Sequence, residues 1–443
     1  MSDPTLPKAL RTWDGIALLI GITIGSGIYS TPYLIAGYFP DFATAAIAWV
    51  GVGAFVLVSG MVYAELGTRL PATGGEFVYM ERAYGRWAGF MFGWAQLFIV
   101  RTSPAAALAI IAADYVGFFV PVAGASHTAV ALGILVVLGI FNVIGIRWAS
   151  LINKFSTITK VSGLIIFAVG GLYLMQAEFV QFDQVAAPTT GLSHTGNLIA
   201  AIFLIIFSHT GWDRVGYVAG EMEDPGKSLP RTMFIGLSLI LVLYWAVNSV
   251  YYGVLGVEGL RATTTPAATV MSQLVGPLGG SIVALLVIVS ALGSINGTMM
   301  ASSRVYYAMA RDGLFFKWLD YVHPRFRTPS RAVMAHVVWG GVILLVRGSF
   351  ASIAAGMIFG VLIFYTLTGI ALFKFRREGV GEETAWKMPG YPWLPAIYVA
   401  AMIGLLVVRV IFEWQASLVD FAFIATGIPV SYFWLKGQPD RSA

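Results

Sequence analysis

The sequence predicts an all-α, polytopic membrane protein with twelve transmembrane helices, and three observations carry that prediction. Of 443 residues, 58% are hydrophobic and 11% charged, against about 25% charged in an ordinary soluble domain. The charges cluster between long apolar runs, each near the roughly 20 residues that cross a bilayer as helix. Two of those runs are interrupted near their middles by glycine and hydroxyl residues, and these interruptions point to how the helices are arranged.

The candidate spans lie at about 14–37, 42–66, 84–114, 126–146, 150–175, 197–221, 232–256, 279–310, 331–347, 352–373, 393–412 and 416–435. The first run has no small-residue cleavage site, and its polar leader carries Lys8 and Arg11, so it reads as a retained span rather than a signal peptide. With the N-terminus inside, one set of loops receives nearly all the lysine and arginine, from Arg69, Arg82 and Arg86 through Arg325, Arg327 and Arg331 to Lys436. The opposite loops hold little beyond Arg261 and Arg347. The positive-inside rule therefore puts both termini in the cytoplasm, and the expected location is the plasma (inner) membrane, as a multi-pass protein. The formal net charge of +5 then calls for no nucleic-acid partner.

The absence of cysteine removes disulfides, thiolate metal sites and cysteine nucleophiles together. The five histidines, His127, His194, His209, His323 and His336, form no pair at helical metal-ligand spacing. No Walker-type phosphate loop occurs. Few groups are left for an enzyme, and no metal or cofactor is expected.

The first interruption is "GITIGSGIYSTP", Gly21 to Pro32. Glycine costs a helix about 1 kcal/mol relative to alanine and proline about 3 kcal/mol. The second is "IIFSHTGWDRVGYVAGE", Ile205 to Glu221, where Ser208, His209, Thr210 and Gly211 fall mid-span. Freed backbone is tolerated at membrane depth only where it is buried in protein or lines a wet cavity. Paired discontinuous helices in corresponding positions of two halves point to a midplane site between inverted repeats, a rule drawn from the leucine-transporter fold. Spans one and six are so placed. The expectation is a leucine-transporter-like 5+5 inverted repeat within one transmembrane domain, 14–175 and 197–373, followed by two additional spans over 393–435.

A half-helix N-terminus offers free N–H donors and partial positive charge to a carboxylate. Exposed carbonyls suit an ammonium group, and a ligand with both groups on adjacent atoms is an α-amino acid. A single glycine cluster would read as close helix packing. Two clusters at matching positions, each flanked by hydroxyl residues, favour the site.

"GSGIYSTP", Gly25 to Pro32, resembles the first-span motif of the amino acid-polyamine-organocation superfamily. "YAELGTRLPATGGEFVYMERAYGRWAGFMFGW", Tyr63 to Trp94, resembles its signature around spans two and three. "IVRTSPAAALAI", Ile99 to Ile110, is similar to the intramembrane arginine motif of the L-type amino acid transporter family. The similarity continues through Gly211–Arg231 and Ser290–Gly313, while the last two spans carry little signature. The resemblance implies that the substrate carboxylate meets the N–H groups of Ser26 and Gly27, helped by the Ser26 hydroxyl and the Gly25 turn. It implies that the ammonium meets the carbonyls of Thr23, Phe207 and Thr210, that the Phe207 ring covers the ligand, and that Ser208 lines the cavity.

Family members more often carry "YGGW" or "YDGW" where this chain has "HTGW", His209 to Trp212. Thr210 either narrows the side-chain pocket toward small neutral substrates or satisfies freed carbonyls. His209 either titrates near neutral pH or is a hydrogen-bonded neighbour of the break. Asp213 either caps the second half-helix or favours a cationic substrate. Arg101, in span three, should face protein or water, as an anchor to carbonyls, a vestibule charge or a substrate contact. Glu65 and Arg69, four apart, read as an ordinary helix pair.

Lys160 in "STITKVSG" lies about ten residues, roughly 15 Å of helix, from the start of span five. There it either snorkels to the interface or is functional. The resemblance implies that it replaces the cation of sodium-coupled relatives and bridges carbonyls near Ile22 and Gly25 to the Ser290 hydroxyl. The resulting expectation is a sodium-independent secondary amino acid transporter working by alternating access, exchanging small neutral L-amino acids. A proton-coupled symporter, a cationic amino acid or polyamine carrier, and a receptor or enzyme binding an amino acid remain alternatives. Animal members of the L-type family join a glycoprotein heavy chain through a cysteine between spans three and four. The loop "VPVAGASHT" has none, so the expected partners are the L-amino acid and membrane lipid, with no disulfide-linked heavy chain.

Overall fold

A computed structural model of the chain describes residues 10–25, 27–71, 75–144, 146–175, 180–311, 313 and 315–435. The chain is helical. In order the first helices are α1 (Thr12–Thr23), α2 (Gly27–Tyr38), α3 (Phe42–Arg69), α4 (Glu76–Tyr84) and α5 (Arg86–Ala95). A π-helical turn, Gln96–Val100, joins α5 to α6 (Thr102–Gly117), and α7 (Ala125–Ile144), α8 (Ile146–Leu174) and α9 (His194–His209) follow. A 3-10 segment, Trp212–Glu221, leads into α10 (Pro225–Arg261), α11 (Pro266–Val275) and α12 (Pro277–Arg311). The chain ends with α13 (Ser330–Arg347), α14 (Phe350–Glu378), α15 (Trp393–Phe412), α16 (Trp414–Ala425) and α17 (Gly427–Leu435).

Among the described residues ten helices are long and apolar enough to cross a membrane, or eleven when the bent pair α1 and α2 counts as one span. The run expected as a twelfth span is divided at Thr426 into α16 and α17. Pro429 accounts for the division, because it has no N–H for the Ala425 carbonyl and its ring crowds that carbonyl. The indole of Trp94 takes up the slack, donating to Phe423 O at 3.3 Å and Thr426 Oγ1 at 3.1 Å.

The chain forms two compact units. The first, residues 1–85, 164–261 and 362–408, contains both interrupted spans. Here α10 packs along α3, α1 and α2, while α9 packs against α2 and α3. Spans one, two, six and seven thus share one body. Two of its helices, α3 and α9, start on side-chain caps: Asp41 accepts from Thr44 N at 2.7 Å, and Ser193 from Gly196 N at 3.1 Å. Before α1, Leu10 pairs with the end of the 3-10 segment, its N–H donating to Glu221 O and its carbonyl accepting from Glu223 N, both at 3.0 Å.

The Glu65 and Arg69 pair in this unit is more than the ordinary helix pair read from its spacing. The Glu65 side chain is fully buried and accepts from Arg69 Nε at 2.9 Å. Arg376 grips it bidentately at 2.7 and 2.6 Å, and Met388 N donates to it at 2.9 Å. Arg69 in turn donates to Val380 O at 2.8 Å. The segment between α14 and α15 is thereby latched to the end of α3.

The second unit, residues 86–163, 262–361 and 409–443, is centred on α6, α7, α12 and α13, which pack on one another. Asp420 is buried between Arg409, at 2.8 Å, and Arg347, which also pairs with it. Asn142 on α7 donates to Asn296 Oδ1 on α12 at 2.8 Å.

Candidate functional site

The two interruptions are short and cross one another. α1 closes on Ile24, whose N–H still donates to Ile20 O at 2.9 Å, and α2 leaves at 50° from Gly27. α9 runs through Ser208 and His209 and ends there, because Thr210 is extended and Gly211 adopts φ 117°, which glycine reaches without a Cβ penalty. The chain then resumes as a 3-10 helix rather than an α-helix. A Cβ on Gly211 would lie 3.1 Å from the Ile22 carbonyl oxygen, so backbone meets backbone. A Cβ on Gly27 would lie 3.4 Å from Ser208 Cα and 3.6 Å from Phe207 Cδ1.

Hydroxyl groups tie the crossing together. Thr31 Oγ1 lies 2.9 Å from Ser208 Oγ, joining α2 to α9. The Tyr244 hydroxyl, from α10, donates to Ser208 O at 2.9 Å and to Thr23 O at 3.3 Å. In unbroken helices those two carbonyls would accept from Trp212 and Gly27, four residues on. Tyr244 therefore compensates both breaks with one proton. Neither Thr31 nor Tyr244 was singled out by sequence, although a tyrosine inside the apolar run of span seven is a visible signal.

Thr210 answers the Phe207 carbonyl, which accepts from both its N–H at 3.1 Å and its hydroxyl at 2.7 Å. The threonine is thus satisfying a freed carbonyl. Among the described residues, a Cβ on Gly25 would meet only Thr23 O, at 4.0 Å. Ser26 lies outside the described residues.

His209 Nδ1 hydrogen-bonds Ile205 O at 2.8 Å, and its ring packs between Trp49 and Tyr244, with centroids 5.8 and 4.9 Å away. That is the hydrogen-bonded neighbour of the break. Asp213 is buried in the first turn of the 3-10 segment, and Trp212 beside it packs on Tyr63 and Tyr365. In the second unit Arg101 Nε donates to Gln96 Oε1 at 2.7 Å, across the π-helical turn.

Lys160 is buried on α8, in the second unit with Ser290. One turn before it, Ser156 Oγ donates to Val289 O on α12 at 3.0 Å. One turn after it, a Cβ on Gly163 would collide with Leu286. Ser156 and Gly163, on either side of Lys160, face α12 along the stretch from Leu286 to Gly293, which includes Ser290, whose hydroxyl has no partner among the described residues.

The sequence profile of the family described as "Amino acid permease" matches residues 10–433. The chain belongs to this family. The serine/threonine exchanger SteT of Bacillus subtilis (strain 168) is 30% identical, covering 97% of each chain. The Asc-type amino acid transporter 1 of Mus musculus is 27% identical over 97% of this chain and 82% of its own. The b(0,+)-type amino acid transporter 1 of the same species is 26% identical over 98% and 89%. This amino acid permease is therefore an integral, multi-pass membrane transporter and not an enzyme, and the resemblance read from its motifs holds along nearly the whole chain.

Proposed function

We propose that this permease is a sodium-independent exchanger of small neutral L-amino acids, working by alternating access in the plasma membrane with both termini cytoplasmic. The observation that carries the reading is the crossing of two interrupted helices within one unit, Gly211 on Ile22 and Gly27 on Ser208. The substrate carboxylate is assigned to Ser26 and Gly27 beside the turn at Gly25. The ammonium is assigned to the carbonyls of Thr23, Phe207 and Thr210, with Phe207 as the covering ring and Ser208 lining the cavity. The four spans one, two, six and seven move as a body, within repeats 14–175 and 197–373 to which 393–435 are appended. That a bacterial relative of similar length is named a serine/threonine exchanger supports both exchange and a small polar or neutral substrate.

Lys160, buried on α8, supports sodium independence, because a fixed ammonium held within the protein can stand in for a coupling cation. The same burial favours a second reading, proton-coupled symport through Lys160. Uptake of labelled L-serine into proteoliposomes separates these outcomes. Exchange requires unlabelled amino acid inside. Uptake into empty vesicles driven by an inward proton gradient and lost in Lys160→Ala selects symport, and a requirement for sodium overturns the role given to Lys160.

A further inference from the structure

A groove of about 320 Å³ runs between α7 and α13 in the second unit. Its walls are apolar along most of their length, with Val136, Ile140 and Val143 from α7 facing Val333, Met334 and Val337 from α13. Val136, Ile140 and Met334 are exposed, and on helices of a membrane protein such faces meet hydrocarbon rather than water. The helices are held together at the floor, where the absent side chain of Gly139 admits Val337.

One end of the groove is different in kind. Ser330 and Arg331 line it there, and the loop before α13 adds Arg325 and Arg327, both exposed. This loop is firmly built. Thr328 Oγ1 donates to Val143 O at 2.7 Å, and His323 exchanges backbone hydrogen bonds with Thr328 and Arg327 at 2.8 Å. Arg327 sits at φ 56°, the one positive value outside glycine among the described residues, a conformation that costs a non-glycine residue of order 1 kcal/mol and persists only where the surroundings impose it. Arg331 is held over the Tyr321 ring at 4.0 Å, and no carboxylate pairs with these three arginines among the described ion pairs.

We propose that the groove between α7 and α13 is a binding site for one anionic phospholipid, its acyl chain lying along Val136–Val143 and its phosphate meeting Arg331, with Arg325 and Arg327 nearby. An apolar trough ending in arginines that have no carboxylate partner among the described residues matches the two halves of such a lipid. Basic pockets between transmembrane helices at the membrane surface bind anionic headgroups for the same electrostatic reason. A zwitterionic lipid fits the trough but gains little from the arginines. A single transmembrane helix of another protein fits the trough and leaves the cluster without a counter-charge.

The test uses the purified full chain in detergent, titrated with phosphatidylglycerol or phosphatidylcholine of identical acyl chains and read by native mass spectrometry. Wild type is expected to retain phosphatidylglycerol preferentially. Arg331→Gln should lower that retention about fivefold, the effect of one arginine near an anionic headgroup, without changing phosphatidylcholine. Val136→Trp, a change on the exposed face that leaves the cluster intact, should fill the deep end and weaken both lipids. Equal retention of the two lipids by wild type would overturn the proposal. So would unchanged phosphatidylglycerol retention in both variants, or a single-span polypeptide co-purifying in place of lipid.

Discussion

Gly211→Ala tests the crossing most directly, because its cost follows from geometry. Gly211 holds φ 117°, and an L-residue forced there costs about 1–3 kcal/mol. The added Cβ would also stand 3.0 Å from Ile22 Cγ2, 3.1 Å from Ile22 O and 3.3 Å from Ile22 C. Two of these three atoms are backbone, so no rotamer change relieves the contact, and overpacking of this kind costs about 1–3 kcal/mol. The sum, about 2–6 kcal/mol, falls on the point where the two interrupted spans touch. Gly51→Ala on α3 is the control, since nothing lies within 4 Å of its Cβ position. The assay is the thermal midpoint of the purified protein alongside amino acid uptake in proteoliposomes. Gly211→Ala should melt well below the control and lose transport. A variant that melts with Gly51→Ala and transports at the wild-type rate would refute the reasoning.

Tyr244→Phe removes the one proton that serves the Thr23 and Ser208 carbonyls, and leaving a buried acceptor unpaired costs about 1–3 kcal/mol; the expected result is a lowered thermal midpoint together with weaker substrate binding, and unchanged binding would deny the hydroxyl its positioning role. Gly27→Val should abolish substrate binding in a protein that still purifies as a single species, because a β-branched side chain would stand against Ser208 and Phe207 in the carboxylate's path; normal binding by that protein would remove Gly27 from the site. Arg376→Gln breaks the bidentate grip on fully buried Glu65, a change costing about 3–5 kcal/mol where a buried charge loses its partner, with Arg69 and Met388 N moderating the loss. Thermal inactivation should accelerate, and Arg376→Lys should restore only part of the stability because an ammonium lacks the planar fork.

What the sequence made legible was local. The interruptions in spans one and six were readable because glycine and hydroxyl residues act on the backbone within a few positions of themselves. Even there the reading overextended: Ser208 stays helical, its hydroxyl donating back to Leu204 O at 3.1 Å, so a hydroxyl residue in the cluster is absorbed by the helix it was expected to break. The division at Thr426 was missed although Pro429 signals it, because a run of apolar residues looks continuous to a hydropathy count. Partners distant in sequence were not legible at all. Glu65 and Arg69 were found as a pair because they are four apart, whereas Arg376 and Met388 lie 311 and 323 residues from Glu65. Tyr244 follows the same logic. Nothing near it in the chain needs its hydroxyl, and its purpose appears only once α10 lies against both broken ends. The periodicity of a helix records which face is buried, but not which residue waits on the other side. In an apolar bundle, where most buried faces read alike, that missing information is concentrated in the few buried polar groups, and those are the groups on which the candidate site and the latch at Glu65 are built.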